Sequence, residues 1–193
     1  MAGIDPKQQA ILTAAWTAFS TYGFRKTSMD DIAKGAGMSR PAVYLHFKNK
    51  EAIFRALVQG YYARAQAEIA AALAVDGDLN AKLAAAFAGH GGEAMESMMS
   101  SPHGMELLET SMSVAGETIE EGEAALSTLY AAWLQAEAEA GRVKLPAAPE
   151  DLARVICACL KGIKKSAAGY AAYQADVSSY AALCAQALEI PGG

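Results

Sequence analysis

Residues 30–47 read DDIAKGAGMSRPAVYLHF, and no other stretch of the chain restricts its own conformation so tightly. The GAG at 35–37 supplies a glycine suited to the left-handed turn that closes a helix. Ser39 is an N-cap, and Pro41 falls in the first turn of the helix that follows, where a missing N–H costs nothing. A helix, a tight turn and a second helix therefore fit within these residues. Isolated helices below about 12 residues are marginal in water, so neighbouring elements must hold this unit, and the second helix is built to show its N-terminal end.

The flanks supply those neighbours. A first helix is expected from about Asp5 to Tyr22, with Leu12, Ala15, Trp16 and Phe19 on one face, and Gly23 ends it. Thr27 or Ser28 caps the next, with Asp30 and Asp31 in its first turn, where the helix dipole favours negative charge. Ile32, Ala33 and Ala36 form its inner face. In the following helix Val43 and Phe47 point inward, which leaves Arg40, Ala42, Tyr44 and His46 on other faces. Asn49 caps a long fourth helix over about 50–74, with Ile53, Phe54, Leu57, Val58, Tyr61 and Ile69 along its buried side. Further helices are expected at about 79–99, 103–112, 117–140, 149–170 and 176–189, separated by SSPHG, SVAGE, GRVKLPAAP and YQADVS. The chain reads as all-α with about nine helices: a three-helix bundle carrying the helix-turn-helix, a long fourth helix, and a C-terminal helical domain. We expect domains at 1–50 and 51–193.

Charge divides along the same line. The formal net charge is −5, which taken whole argues against a polyanionic partner. Residues 1–60, however, hold eight Lys/Arg against four Asp/Glu, whereas residues 61–193 hold eight against seventeen. The two parts face different partners, and the positive end has the electrostatic footprint of phosphate binding. Cys157, Cys159 and Cys184 offer neither a disulfide framework nor zinc spacing, and they read as small core residues in a reducing compartment. No stretch approaches 18 consecutive apolar residues and the N-terminus lacks a basic leader, so the reading is cytoplasmic, with no membrane partner. No phosphate loop, nucleophile elbow or His-Glu-x-x-His is present, so an enzyme reading has no residues to assign, and no cofactor is expected.

Residues 27–54, TSMDDIAKGAGMSRPAVYLHFKNKEAIF, resemble the signature of the TetR family of transcriptional regulators. The elements that carry the resemblance are Ile32-Ala33, Ala36-Gly37-Met38-Ser39, Tyr44-Leu45-His46-Phe47 and Lys50-Glu51. It covers about the first 55 residues. Met38 stands where Val is usual and Pro41 where a small residue is usual. The resemblance implies a sequence-specific DNA-binding regulator, most simply a homodimeric repressor on a palindromic operator in double-stranded DNA, released by a small-molecule effector.

Carried onto this chain, it implies DNA contacts from Thr27, Ser39, Arg40, Pro41, Ala42, Tyr44, His46 and Lys50. Thr27 and Lys50 would meet phosphates, and Tyr44 and His46 the backbone, positioning the protein without reading sequence. Arg40 is suited to a guanine edge, and Pro41 and Ala42 to a thymine methyl.

The resemblance also implies dimerisation through the last two helices. Their apolar stripes are Leu152, Val155, Ile156, Cys159, Leu160 and Ile163, then Val177, Tyr180, Cys184 and Leu188. Residues 83–141 hold ten Glu and no Lys, Arg or Asp. Within them Met95, Met98, Met99, Met105 and Met112, with Phe87, Tyr130 and Trp133, are the expected lining for a largely apolar effector. His90/Glu93 and His103/Glu106 repeat a His-x-x-Glu spacing that permits a two-His, two-carboxylate metal site, but spacing alone is weak, and the expectation is ordinary cap or surface histidines with no metal. The alternative to a regulator is an all-α small-molecule or metal-binding dimer that ignores DNA, distinguished by the lack of salt-dependent duplex binding.

Overall fold

The computed structural model describes residues 5–190, apart from the side chains of Glu93 and Met105. Among these residues all regular structure is helical: α1 (Pro6–Tyr22), α2 (Met29–Gly35), α3 (Arg40–Tyr44), α4 (Lys50–Ala74), α5 (Leu79–Met99), α6 (Gly104–Glu139), α7 (Pro149–Ser166) and α8 (Tyr170–Leu188). Two of these eight runs are broken internally, α5 at Gly92 and α6 at Ala115. The expected count of about nine lies between eight runs and their ten straight pieces. Among the described residues no helix is long and apolar enough to cross a membrane.

The chain forms two compact units, Met1–Tyr61 with Ser97–Glu120 and Tyr62–Glu96 with Glu121–Gly193. This partition differs from a single cut after residue 50. The first turns of α4, the end of α5 and the start of α6 belong to the first unit.

In the first unit the early helices begin where the sequence places them. Asp5 accepts from the Lys7 amide, and Ser28 and Asp31 form a reciprocal capping box. Ser39 accepts from the Ala42 amide, and Asn49 from the Ala52 amide at 2.8 Å. Gly37, at φ 65°, makes the left-handed turn between α2 and α3, a conformation that only glycine adopts without strain. The core holds Ile11, Ala15, Phe19, Phe24, Ile32, Val43, Ile53 and Phe54, joined by Leu107 and Ala115 from α6. Phe19, Phe24 and Phe54 pack mutually with ring centroids 5.2–5.8 Å apart.

The second unit is an Ala-rich helical bundle. Gly122 permits close approach of the Tyr62 ring, and Gly91 that of the Tyr173 phenol. Tyr180, Phe87, Tyr130 and His90 form a ladder of rings, with successive centroids 5.3, 5.9 and 6.4 Å apart. One expectation fails here: the YQADVS separator lies inside α8, because the break falls earlier, at Gly169. In the first unit the break expected at SVAGE is present as a kink at Ala115, where two straight pieces of α6 meet.

Candidate nucleic-acid interface

The geometry of α3 follows from its two ends. Ser39 opens it, Pro41 fixes the backbone of its first turn, and wholly buried Val43 anchors it to the core. One residue buried and its neighbours outward is what a five-residue helix allows. Arg40, Pro41 and Tyr44 are exposed, and Ala42 and His46 are half-buried. Leu45, which the sequence reading did not single out, is 85% exposed beside Tyr44. Nothing in the spacing marked it, because an apolar residue at a helix end reads as core.

Arg40 is positioned rather than loose. Its Nη1 donates to Asp30 Oδ2 at 3.0 Å, Nη2 donates to the Tyr44 hydroxyl at 3.4 Å, and its guanidinium carbon lies 5.5 Å from the Tyr44 ring centroid. Tyr44 first, and Asp30 second, hold this guanidinium above its ordinary pKa. His46 Nδ1 lies 3.6 Å from Asp5 Oδ2, an ion pair when the imidazole is protonated.

Two expected phosphate contacts are corrected by the structure. Thr27 is buried, and its hydroxyl lies 2.8 Å from the Gly23 carbonyl and 3.2 Å from that of Ala18, so it closes the end of α1. Lys50 Nζ donates to the carbonyls of Phe24, Arg25 and Thr27 at 2.8, 3.1 and 2.9 Å and lies 4.7 Å from the Phe24 ring centroid. An ammonium has three N–H donors, and all three are used. Lys50 is a staple across the α1–α2 loop; Lys48, two residues earlier, is exposed.

The same loop is gripped from α6. Glu106 accepts from the Arg25 amide at 3.3 Å and pairs with His103 Nδ1 at 3.0 Å. The Arg25 amide, then His103, hold its carboxyl below the ordinary range. Trp16 Nε1 donates to Ser97 Oγ at 3.1 Å, Ser101 Oγ to the Ser20 carbonyl at 2.7 Å, and Arg55 to the Val114 carbonyl at 3.1 Å. The His103/Glu106 spacing thus serves a loop contact. Glu93 lies outside the described side chains, and among those described no three His, Cys, Asp or Glu are grouped to hold a metal.

The expected effector lining is not gathered into one unit. Phe87, Met95, Tyr130 and Trp133 belong to the second, whereas Met98, Met99 and Met112 belong to the first; Met105 lies outside the described side chains. Phe87, Met95 and Tyr130 are wholly buried, and Met112 is exposed. Trp133 Nε1 is buried with no hydrogen-bond partner among the described residues. His90 is buried, and desolvation, then the nearby Lys164 charge, holds its imidazole down to about 4. Burial likewise holds the Lys164 amine down to about 8, against the opposing influence of Glu123. A separate cleft of about 430 Å³, lined by Asp76, Lys82, Glu137 and Arg142 among others, includes none of the expected residues. Its Glu137 is taken by Arg142, whose Nε and Nη2 each donate at 2.8 Å.

Four of the ten expected dimer residues, Ile156, Leu160, Val177 and Leu188, are buried inside their own chain, and Tyr180 stacks on Phe87. Leu152, Cys159, Ile163 and Cys184 are half-buried, while Val155, with Leu183 and Ile190, is exposed. Helical spacing identified apolar stripes but did not separate their inner edge from their outer. Cys157 is buried, its thiol pushed up to about 12 by desolvation, so little reactive thiolate forms near neutrality.

Residues 11–57 match the family described as bacterial regulatory proteins, tetR family. The HTH-type transcriptional regulator EthR of Mycolicibacterium smegmatis is 43% identical over 61 residues, 32% of this chain and 28% of that protein. RutR of Escherichia coli K12 is 38% identical over 56 residues, 29% of this chain and 26% of that protein. The matched stretch thus spans little more than a quarter of either relative. Solved structures extend the likeness in fold. SmeT, the repressor of the Stenotrophomonas maltophilia multidrug efflux pump SmeDEF, superimposes with a TM-score of 0.72 at 21% identity, covering 96% of this chain and 91% of that one. The fatty acid degradation regulator FadR of Bacillus halodurans gives 0.70 at 19%, covering 95% of each. SmeT is also known as a triclosan complex.

Proposed function

We propose that this chain, whose residues 11–57 match the tetR family of bacterial regulatory proteins, is a homodimeric, sequence-specific DNA-binding regulator of that family, a repressor released from a palindromic operator by a small molecule. The observation that carries this reading is α3 itself. It is anchored by buried Val43 and capped by Ser39, and it presents Arg40, Pro41 and Tyr44 to solvent. In a major groove Arg40 bonds a guanine edge, Pro41 and Ala42 meet a thymine methyl, and Tyr44 and His46 contact the backbone. Lys48 takes the phosphate role that Lys50 is not free to fill.

A two-fold operator requires two heads, and the exposed Val155, Leu183 and Ile190 of the α7–α8 region are the surface proposed to pair. For the effector we propose the second unit, around the Phe87–Tyr130–Tyr180 rings and the Trp133 Nε1 donor, which favours a largely apolar molecule bearing a hydrogen-bond acceptor. The triclosan complex of SmeT gives a solved example of an aromatic ligand on this fold. Release requires only that the effector bind more tightly to the state with the wrong head spacing, since equal affinity shifts nothing.

The test is selection of bound duplexes from a random pool, followed by titration of the enriched sequence at several salt concentrations. Enrichment of a palindrome with a steep negative salt slope is expected. A folded, ligand-free protein that enriches no sequence would overturn the reading.

A further inference from the structure

Asp30 belongs to no DNA contact proposed above, yet it makes the shortest polar contact that Arg40 has. It lies in the first turn of α2, Arg40 opens α3, and the tight turn at Gly37 brings them to 3.0 Å. Both side chains are more than half exposed, at 62% and 55%. An exposed ion pair of this kind contributes little to folding, because solvent screens it and two long side chains lose freedom. Its geometric consequence is larger. The carboxylate accepts one bond, from Nη1, the Tyr44 hydroxyl accepts from Nη2, and the Tyr44 ring lies within cation–π distance. The fork is held in one orientation, with three of its five N–H donors left for a base edge.

We infer that Asp30 sets how strictly this regulator discriminates between its operator and other duplexes, by holding Arg40 in the reading orientation and opposing phosphate where no guanine edge is offered. The inference rests on the DNA-binding reading above. On random duplex, Arg40 has phosphates as its main partners, and a carboxylate 3.0 Å from the guanidinium cancels much of that attraction. At a guanine edge the acceptors are neutral O6 and N7, and two directional bonds form whether or not a carboxylate holds the far side. The carboxylate therefore penalises phosphate-only binding more than reading. Asp30 is a positioning residue: it acts through Arg40.

The test compares Asp30→Asn, which keeps the shape and removes the charge, with Asp30→Glu, which keeps the charge. Asp30→Asn should raise affinity for random duplex about three- to tenfold at low salt and steepen that salt slope by about one, while operator affinity changes less than about twofold. Asp30→Glu should restore most of the wild-type ratio. In an Arg40→Ala background, Asp30→Asn should change operator and random duplex by the same factor, since the coupling partner is gone. Loss of both affinities together would mark a merely structural role and overturn the inference, with Asp30→Ser and the thermal midpoint as the check on folding. A new base preference in Asp30→Asn would also overturn it, because Asp30 would then read a base itself. If Arg40→Ala relaxes sequence preference but Asp30→Asn leaves the ratio unchanged, the inference falls and the docking reading stands. If Arg40→Ala leaves preference intact, both fall.

Discussion

The helices of the N-terminal head and the last two helices of the chain begin in different ways. Asp5, Ser28, Ser39 and Asn49 each bond a first-turn amide of α1 to α4 through a side chain. Ala148 and Gly169, at the starts of α7 and α8, do neither. A capped start is decided by one residue and the N–H two or three positions on, so it is local in sequence. An uncapped start with no proline beside it is decided by where the apolar face must begin to pack, which no short window contains. The starts of α1 to α4 lie within a residue of their expected positions, and uncapped α7 also begins where expected because Pro149 marks its first turn; α8, with neither cap nor proline, begins six residues before its expected start at 176. Asp176, which looked like part of a break, is an exposed mid-helix residue.

The head nevertheless also depends on contacts distant in sequence, and the largest effect we expect comes from removing one of them, the Lys50 staple. If caps alone organised the head, Lys50→Met would cost no more than one cap, about 1 kcal/mol. Three carbonyls would instead lose a shared ammonium, and with charge-assisted bonds at about 1.5–3 kcal/mol each and incomplete additivity, we expect a loss of about 4 kcal/mol. Denaturant unfolding measures it. Amide exchange should report the loss in the α1–α2 loop, and operator affinity should fall for every sequence alike.

The counterpart in the second unit is His90. Its folded pKa, about 4, lies below the ordinary 6.5, so as pH falls the unfolded chain takes up the proton first. The stability tied to neutral burial is complete above pH 6.5, declines between pH 6.5 and 4, and is absent below. The full difference is about 3 kcal/mol, of which about 2 kcal/mol is gone at pH 5. Unfolding midpoints of the wild type and His90→Phe, compared at pH 7.5 and 5, isolate it, since other titrating groups are common to both chains. A wild type no more acid-sensitive than His90→Phe would show that the imidazole is solvated rather than buried.

The candidate site divides along the same local and non-local line. Ser39, Pro41, Val43 and the outward Arg40 and Tyr44 follow from the cap and a period of 3.6, and all were legible. Thr27 and Lys50 were misread because their partners lie 4 to 26 residues back along the chain, on carbonyls that no side-chain pattern announces. The α7–α8 stripes show the same limit: periodicity gives a face, but only tertiary packing decides that Ile156 and Leu160 turn inward while Val155 turns out. Glu106 reaches the Arg25 amide 81 residues away, and nothing but the fold reveals it.

The smallest effects bear most directly on the contrast. Ser28→Ala removes half of a capping box, whose carboxyl partner Asp31 is held below its ordinary pKa chiefly by that hydroxyl and then by the Ser28 amide; about 1 kcal/mol of stability should be lost. Ala148→Asp does the reverse. It supplies an acceptor to α7, whose first turn already carries Pro149, Glu150 and Asp151, and the gain should be about 0.5 kcal/mol, less than a full cap because Glu150 and Asp151 add like charge. Thermal midpoints of the two variants read both changes. A smaller shift of opposite sign for Ala148→Asp, as expected, would mean that the late helices simply lack caps that they could use. A loss on Ala148→Asp would mean that packing fixes the α7 start in a geometry that no side-chain cap can serve, and the two ends of the chain would then differ in kind rather than in degree.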